Sequence, residues 1–113
     1  DMRFMPNPFY YPEYRALSGL DAPVQEFVFS QPFVPAFFNS VEHMLSELIP
    51  LYLAQDKHIL RVCFGCTGGR HRSVAAAEEM AKRFVAKGLN VRVYHRDISC
   101  EAADIKERFE KQS

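Results

Sequence analysis

Residues 59–74 read ILRVCFGCTGGRHRSV, and this stretch decides the predicted fold. Its first part, residues 59–64, is a short apolar run rich in strand-forming residues, which predicts a buried central strand. A glycine-rich loop follows over residues 65–73. Beyond it, apolar residues recur on one face and Gly88 stands where a helix usually ends, which predicts a helix over residues 70–87. The stretch therefore predicts a strand that passes through a glycine loop into a helix.

The remaining elements follow from periodicity and from helix-capping residues. Residues 1–4 and 91–95 alternate between apolar and polar side chains, which predicts two further strands. Two helices are predicted over residues 22–29, with Asp21 as N-cap, and over residues 35–55, which Pro50 either kinks or divides. The tail places apolar side chains at helical spacing and predicts a weakly amphipathic last helix: Ala102, Ile105 and Phe109.

A strand, a helix and a second strand in close succession imply a right-handed crossover between parallel strands. We therefore predict an α/β fold, a three-layer sandwich with a mainly parallel sheet and helices on both of its faces. Its length of 113 residues suits a single domain, residues 1–113. Ligands of such sheets bind beyond the carboxyl ends of the strands, which is where residues 65–73 fall.

Composition narrows the class of protein. Fourteen basic and fourteen acidic side chains cancel, so binding of a long nucleic acid by overall charge is not expected. No apolar run is long enough to span a bilayer, and no membrane partner is expected. An odd number of cysteines, three, favours a reducing, cytoplasmic setting. The chain opens on Asp1 rather than Met, which suggests a fragment of a longer protein.

The histidines and cysteines show no spacing typical of a metal site, so neither a metal nor a cofactor is expected. Cys63 and Cys66 form a C-x-x-C pair in sequence. A redox pair would place its first cysteine at the helix start, whereas Cys63 lies inside the predicted strand. We therefore expect Cys63 to be buried for structural reasons.

The loop over residues 65–73 has the composition of an oxyanion site. Backbone amides of Gly68 and Gly69 can approach a ligand closely, and a helix N-terminus attracts negative charge. The guanidinium groups of Arg70 and Arg72 suit phosphate oxygens. Three further side chains add donors: Thr67, His71 and Ser73. The alternative is a glycine-rich turn with two solvated arginines.

The same loop also matches the cysteine phosphatase pattern C-x5-R-[ST], through Cys66, Arg72 and Ser73. That chemistry needs a thiolate below the phosphorus atom, amides around the phosphate oxygens and an arginine clamp. It also needs a general acid on another loop, where the sequence has no segment resembling Trp-Pro-Asp and offers Asp21 and Asp97 as the only loose candidates. A Cys66-dependent phosphatase is therefore the alternative function.

Parallel strands would bring other polar residues to the loop. Asn7 follows the first predicted strand, and His95 and Arg96 end the last one, so these residues are expected to surround one pocket with the loop. Asp1 and Arg3 share a face of the first strand. They either contribute to the same pocket or form an ordinary ion pair.

Three motifs in order resemble one known family, the C-terminal domain of the RapZ (YvcJ-type) proteins. They are DMRFMPNP over residues 1–8, LSGLD over residues 17–21 and GCTGGRHRSV over residues 65–74. The resemblance implies a bacterial cytoplasmic protein that senses a phosphorylated amino sugar resembling glucosamine-6-phosphate. It assigns ligand binding to Asp1, Arg3, Asn7 and residues 66–73.

The resemblance also implies partners. Family members usually carry a P-loop nucleotide-binding domain upstream of this one, so nucleotide hydrolysis is not expected of these 113 residues. A different kinase-like domain could equally stand in place of the P-loop domain. Self-association and contact with that upstream domain are further expectations. Some members bind small RNAs, and here a patch of four arginines would serve: Arg70, Arg72, Arg92 and Arg96. However, Phe9 replaces a histidine of the RNA-binding members, and residues 101–113 lack their basic cluster.

Overall fold

Helices form the regular structure of residues 1–98, the part of the chain that the computed structural model describes. A short 3-10 helix spans Pro8–Tyr10. The α-helices of this part are α1 (Pro12–Arg15), α2 (Ala22–Phe29), α3 (Val34–Ala54) and α4 (Arg72–Ala86). The predicted last helix lies outside the described residues.

The three longer predicted helices are confirmed. Asp21 occupies the N-cap of α2, although its side chain bonds to the backbone of Ser18 and not to the first turn of the helix. Pro50 lies inside α3 and does not divide it. After α4, Gly88 has a φ of 85°, a left-handed conformation that favours glycine and ends the helix.

The predicted α/β sandwich is wrong, because residues 1–98 contain no β-strand and therefore no parallel sheet. Alternating side chains indicate an extended backbone, but a strand also needs a neighbouring backbone to pair with. Residues 59–64 lack such a ladder, and Ile59 is 79% exposed. The expected burial of Cys63 is wrong for the same reason, since its side chain is exposed.

Residues 1–4 fail as a strand for a local reason. The carboxylate of Asp1 accepts the amide of Arg3 at 3.0 Å, a side-chain bond that competes with strand pairing. A single backbone bond, from the Met2 amide to the Gly65 carbonyl at 2.7 Å, ties this segment to the glycine loop. The contact places the chain start beside the loop without forming a sheet.

The core lies where α2, α3 and α4 meet the first residues of the chain. It is built from apolar side chains of all four segments: Met2, Met5, Val24, Val28, Val34, Phe38, Leu45, Ala75, Ala76, Met80 and Phe84. At its edge, Arg83 of α4 bonds to Asn39 and Glu42 of α3, each at 3.0 Å, which fixes α4 against α3. Among the helices of residues 1–98, none combines the length and the apolar character needed to cross a membrane.

Candidate anion-binding site

The N-terminal turn of α4 is unusually buried for a helix start. Residues 72–76 are all buried, although the first two of them are Arg72 and Ser73. Gly19 makes this burial possible because it packs directly on the turn. Its amide donates to the Arg70 carbonyl at 2.8 Å, and a Cβ at this position would collide with the backbone of His71 and Ala75. The turn that contains Gly19 therefore holds the loop and the start of α4 in place.

His71 faces the protein interior and not the expected ligand. Only 3% of the residue is exposed, and its Nε2 lies 3.0 Å from the carbonyl of Tyr14, which accepts the ring N–H. Burial lowers the pKa of His71, and the charge of Arg70 adds to this effect, while carbonyl contacts such as that of Tyr14 oppose it. His71 thus fixes the loop as a neutral donor.

The sulfur of Cys66 lies at the N-terminus of α4. It accepts the backbone amide of Ser73 at 3.4 Å and lies 3.2 Å from the Ser73 hydroxyl oxygen. Burial alone would raise the pKa of the Cys66 thiol, but hydrogen bonds from Ser73 and the Gly69 amide, together with the charge of Arg72, outweigh it and lower the pKa. The site therefore favours a negatively charged atom at this point.

The side chain of Arg72 brings a positive charge close to the Cys66 sulfur. It is only 4% exposed, and its Nη1 donates to the Met5 carbonyl at 2.9 Å, while the buried Nε has no hydrogen-bond partner within residues 1–98. Burial lowers the pKa of Arg72, and the charge of Arg3 adds to this effect, whereas the charge of Cys66 and its hydrogen bond with the Arg72 side chain act in the opposite direction. A buried donor without a partner is costly, so the Nε of Arg72 would gain from an additional acceptor such as an anion.

The chain start forms the exposed side of the site. Arg3 and Asp1 form a solvent-exposed ion pair through three side-chain bonds of 2.7–3.0 Å. Such a surface pair contributes little to stability. It does, however, hold the Arg3 charge close enough to act on Arg72. Asn7 is engaged elsewhere, because its Oδ1 accepts the amide of Phe9 at 3.1 Å and caps the 3-10 helix.

Other predicted site residues border the loop without pointing into it. Arg70 donates from Nε to the Ile98 carbonyl at 3.1 Å. His95 pairs with Glu78 of α4 at 2.8 Å, and Arg96 pairs with Asp97 at 3.1 Å. The predicted four-arginine patch is not one surface, because Arg72 is buried whereas Arg92 and Arg96 are exposed.

The loop backbone supplies the rest of the site. Gly68 is buried, and Thr67 and Gly69 are half-buried. Gly69 has a φ of 71°, and a Cβ there would come within 2.9 Å of the Asp97 carboxylate. The structure thus gathers Cys66, Gly69, Arg72 and Ser73 directly, with Arg3 at the edge.

Sequence reasoning missed the groups that hold this site in place. Gly19 gave a signal, since it belongs to the LSGLD motif, but no spacing rule connects it with α4. The carbonyls of Met5 and Tyr14 gave none, because a backbone group carries no mark in the sequence. Only the folded chain shows that they bind Arg72 and His71.

Two further observations on residues 1–98 bear on where an anion or a metal ion could bind. An apolar cavity of about 400 Å³ lies between α3, α4 and the extended segments 58–64 and 89–94, away from the glycine loop. Within the described residues, no three His, Cys, Asp or Glu side chains come together as a metal site. The side chains and amides of the glycine loop therefore suit an anion better than this apolar cavity does.

Comparison with known proteins gives a consistent result. The sequence model of the RapZ C-terminal domain matches residues 1–99. A nucleotide-binding protein of Bifidobacterium adolescentis is 45% identical over 104 residues, which cover 92% of this chain and 34% of that protein. A nucleotide-binding protein of Clostridium acetobutylicum is 48% identical over 98 residues, which cover 87% of this chain and 33% of that protein. The chain thus spans about a third of the length of these relatives.

Proposed function

Because this chain belongs to the RapZ C-terminal domain family, we propose that it is a regulatory module that binds a phosphorylated metabolite at residues 65–73. The single observation that carries this proposal is Arg72. Its guanidinium is buried at the N-terminus of α4 and keeps an unused donor. A phosphate oxygen is a suitable partner for that donor.

The surrounding groups support a small dianionic group in particular. The start of an α-helix carries roughly half a positive charge, and the first turn of α4 contains no acidic residue. Gly68 has no side chain to obstruct a ligand, whereas the space beside Gly69 is taken by the Asp97 carboxylate. Ser73 and Thr67 supply hydroxyl donors, and Arg3 adds a second positive charge at the exposed edge.

We further propose that the metabolite is an amino sugar phosphate resembling glucosamine-6-phosphate. A phosphate would meet Arg72 and the loop amides, and the ammonium group of the sugar would meet a carboxylate. Asp1 is the exposed carboxylate beside Arg3, and it has the charge for that second contact. Because the relatives are named nucleotide-binding proteins, a nucleotide phosphate is the ligand class to compare.

Isothermal titration calorimetry tests this proposal with four compounds: glucosamine-6-phosphate, glucosamine, inorganic phosphate and ATP. Glucosamine-6-phosphate should bind most tightly, and glucosamine should not bind. Arg72→Lys keeps the charge but loses the planar fork, so it should weaken phosphate binding about tenfold or more.

The matched control is Arg92→Lys, which changes an exposed arginine outside the loop and should bind as the unchanged protein does. Circular dichroism of each variant checks that the helices persist. Binding of glucosamine equal to that of its phosphate, or an Arg72→Lys protein with unchanged affinity, would contradict the proposal.

A further inference from the structure

Cys66 has a property that phosphate binding alone does not use. Its sulfur contacts both the amide and the hydroxyl of Ser73, and it lies beside the guanidinium of Arg72. A negative sulfur at a helix N-terminus is a strong nucleophile. A phosphate that accepts from the unused donor of Arg72 would lie close to that sulfur, because the Arg72 side chain is itself a neighbour of Cys66.

Asp97 brings a carboxyl group to the same loop. Its side chain is 15% exposed and lies against Gly69, whose amide is also a neighbour of the Cys66 sulfur. Two contacts hold this segment: the 2.8 Å pair of His95 with Glu78, and the 3.1 Å bond from Arg70 to the Ile98 carbonyl. The carboxyl and the thiol thus approach one glycine from two segments.

Asp21 is the other acidic residue with a conceivable role. The carboxylate of Asp21 accepts the amide of Ser18 at 2.8 Å and stabilises the turn before α2. Asp97 also has a partner, since it pairs with the exposed Arg96 at 3.1 Å, but its carboxyl group is the one that borders Gly69.

We propose that this loop hydrolyses small phosphate monoesters, with Cys66 as the nucleophile and Asp97 as the proton donor to the leaving alcohol. The inference rests on the proposed phosphate-binding function, since the ester must occupy the same site. It adds a chemical step that a purely regulatory binding module does not perform.

The first step forms a bond from the Cys66 sulfur to phosphorus and breaks the bond from phosphorus to the ester oxygen. Asp97 gives its proton to that oxygen, so the alcohol leaves neutral and Asp97 becomes a carboxylate. The loop amides and Arg72 carry the charge on the phosphoryl oxygens.

The second step uses water. The Asp97 carboxylate takes a proton from a water molecule as its oxygen attacks phosphorus, and the sulfur–phosphorus bond breaks. The products are inorganic phosphate and the Cys66 thiolate, and the Ser73 hydroxyl stabilises that thiolate as the leaving group. Atoms and charge balance with water as the co-reactant.

Release of inorganic phosphate from two substrates tests the inference: para-nitrophenyl phosphate, with a good leaving group, and glucosamine-6-phosphate, with a poor one. Cys66→Ser should abolish turnover of both. Asp97→Asn should slow the sugar phosphate about a hundredfold and para-nitrophenyl phosphate much less, because only the poor leaving group needs the proton.

Cys63→Ser and Asp56→Asn are matched controls, since both change exposed side chains outside the loop, and both should leave turnover unchanged. Acid quenching of the Asp97→Asn protein, followed by mass spectrometry, should detect a phosphate adduct on Cys66. That adduct is a readout independent of whether the Cys66→Ser protein folds.

The outcomes separate this inference from the proposed function. Phosphate binding at the loop without turnover or adduct overturns the phosphatase activity and leaves the binding function intact. Turnover that persists in a folded Cys66→Ser protein, or an equal effect of Asp97→Asn on both substrates, also overturns it. If phosphate does not bind at all, both proposals fail.

Discussion

Gly19 shows how strongly one small residue can position a site. Its lack of a side chain lets the LSGLD turn lie on the backbone of His71 and Ala75. Gly19→Ala should destabilise the protein by about 3 kcal/mol, because the added methyl group meets backbone atoms that cannot move aside. Urea unfolding followed by circular dichroism measures this change.

Gly65→Ala is the matched control, since a Cβ at Gly65 meets no atom within 4 Å. This variant should change the free energy of unfolding by less than about 0.5 kcal/mol. Equal unfolding midpoints for the two variants would show that the turn does not pack on α4 as described.

Cys66 gives a second prediction at the scale of the residue. In a protein with Cys63→Ser and Cys100→Ser, the rate of alkylation by iodoacetamide should rise with pH around a midpoint below the ordinary thiol pKa of 9.0, because Ser73, Gly69 and Arg72 favour the thiolate. Adding Ser73→Ala should move this midpoint upward. A midpoint at 9.0 or above would contradict the arrangement.

At the scale of the element, Pro50 is the main irregularity in α3. It lacks the amide that a helix interior uses and can donate nothing to the Ser46 carbonyl, yet α3 continues through it. Because Pro50 is exposed, Pro50→Ala should restore this bond without loss of packing and stabilise the protein by up to about 3 kcal/mol.

Pro35→Ala tests whether the gain in stability expected for Pro50→Ala depends on the position of the proline within α3. Pro35 lies in the first turn of α3, where no amide partner is expected, so its replacement should have little effect. A thermal unfolding midpoint that rises for Pro35→Ala and not for Pro50→Ala would be the contrary result.

The elements also show what the sequence can predict. α2, α3 and α4 follow from apolar spacing and from capping residues, which act within a few residues of each other along the chain. The predicted strands are wrong because a strand must pair with the backbone of a segment distant in sequence, which spacing does not reveal. In residues 1–4, the Arg3 amide donates to the Asp1 carboxylate and not to a neighbouring strand. The loop residues Cys66, Arg72 and Ser73 could be predicted from one motif, whereas the groups that orient them could not.

At the scale of the whole molecule, His71 links stability to pH. Its pKa is lowered in the folded protein, so below about pH 6.5 the unfolded chain binds a proton that the folded protein does not. The free energy of unfolding should therefore fall as pH decreases from 6.5 towards the lowered value, by at most about 1.4 kcal/mol per pH unit from this group. Urea titrations between pH 4 and pH 7 in roughly half-unit steps measure the slope.

His71→Gln keeps a donor for the Tyr14 carbonyl but cannot be protonated, so it should flatten this part of the pH profile. The exposed His43→Gln serves as the control and should keep the slope of the unchanged protein. An unchanged slope in His71→Gln would contradict the assignment of the proton to His71.

The central claim is that a small oxyanion binds at the N-terminus of α4. Backbone amide NMR during titration with inorganic phosphate tests it most directly, because it reports where the anion lies. The account predicts large shifts of the amides of residues 66–73 that saturate with phosphate, and that need about tenfold more phosphate or higher in Arg72→Lys. Shifts spread over the surface, or confined to residues outside the loop, would contradict it.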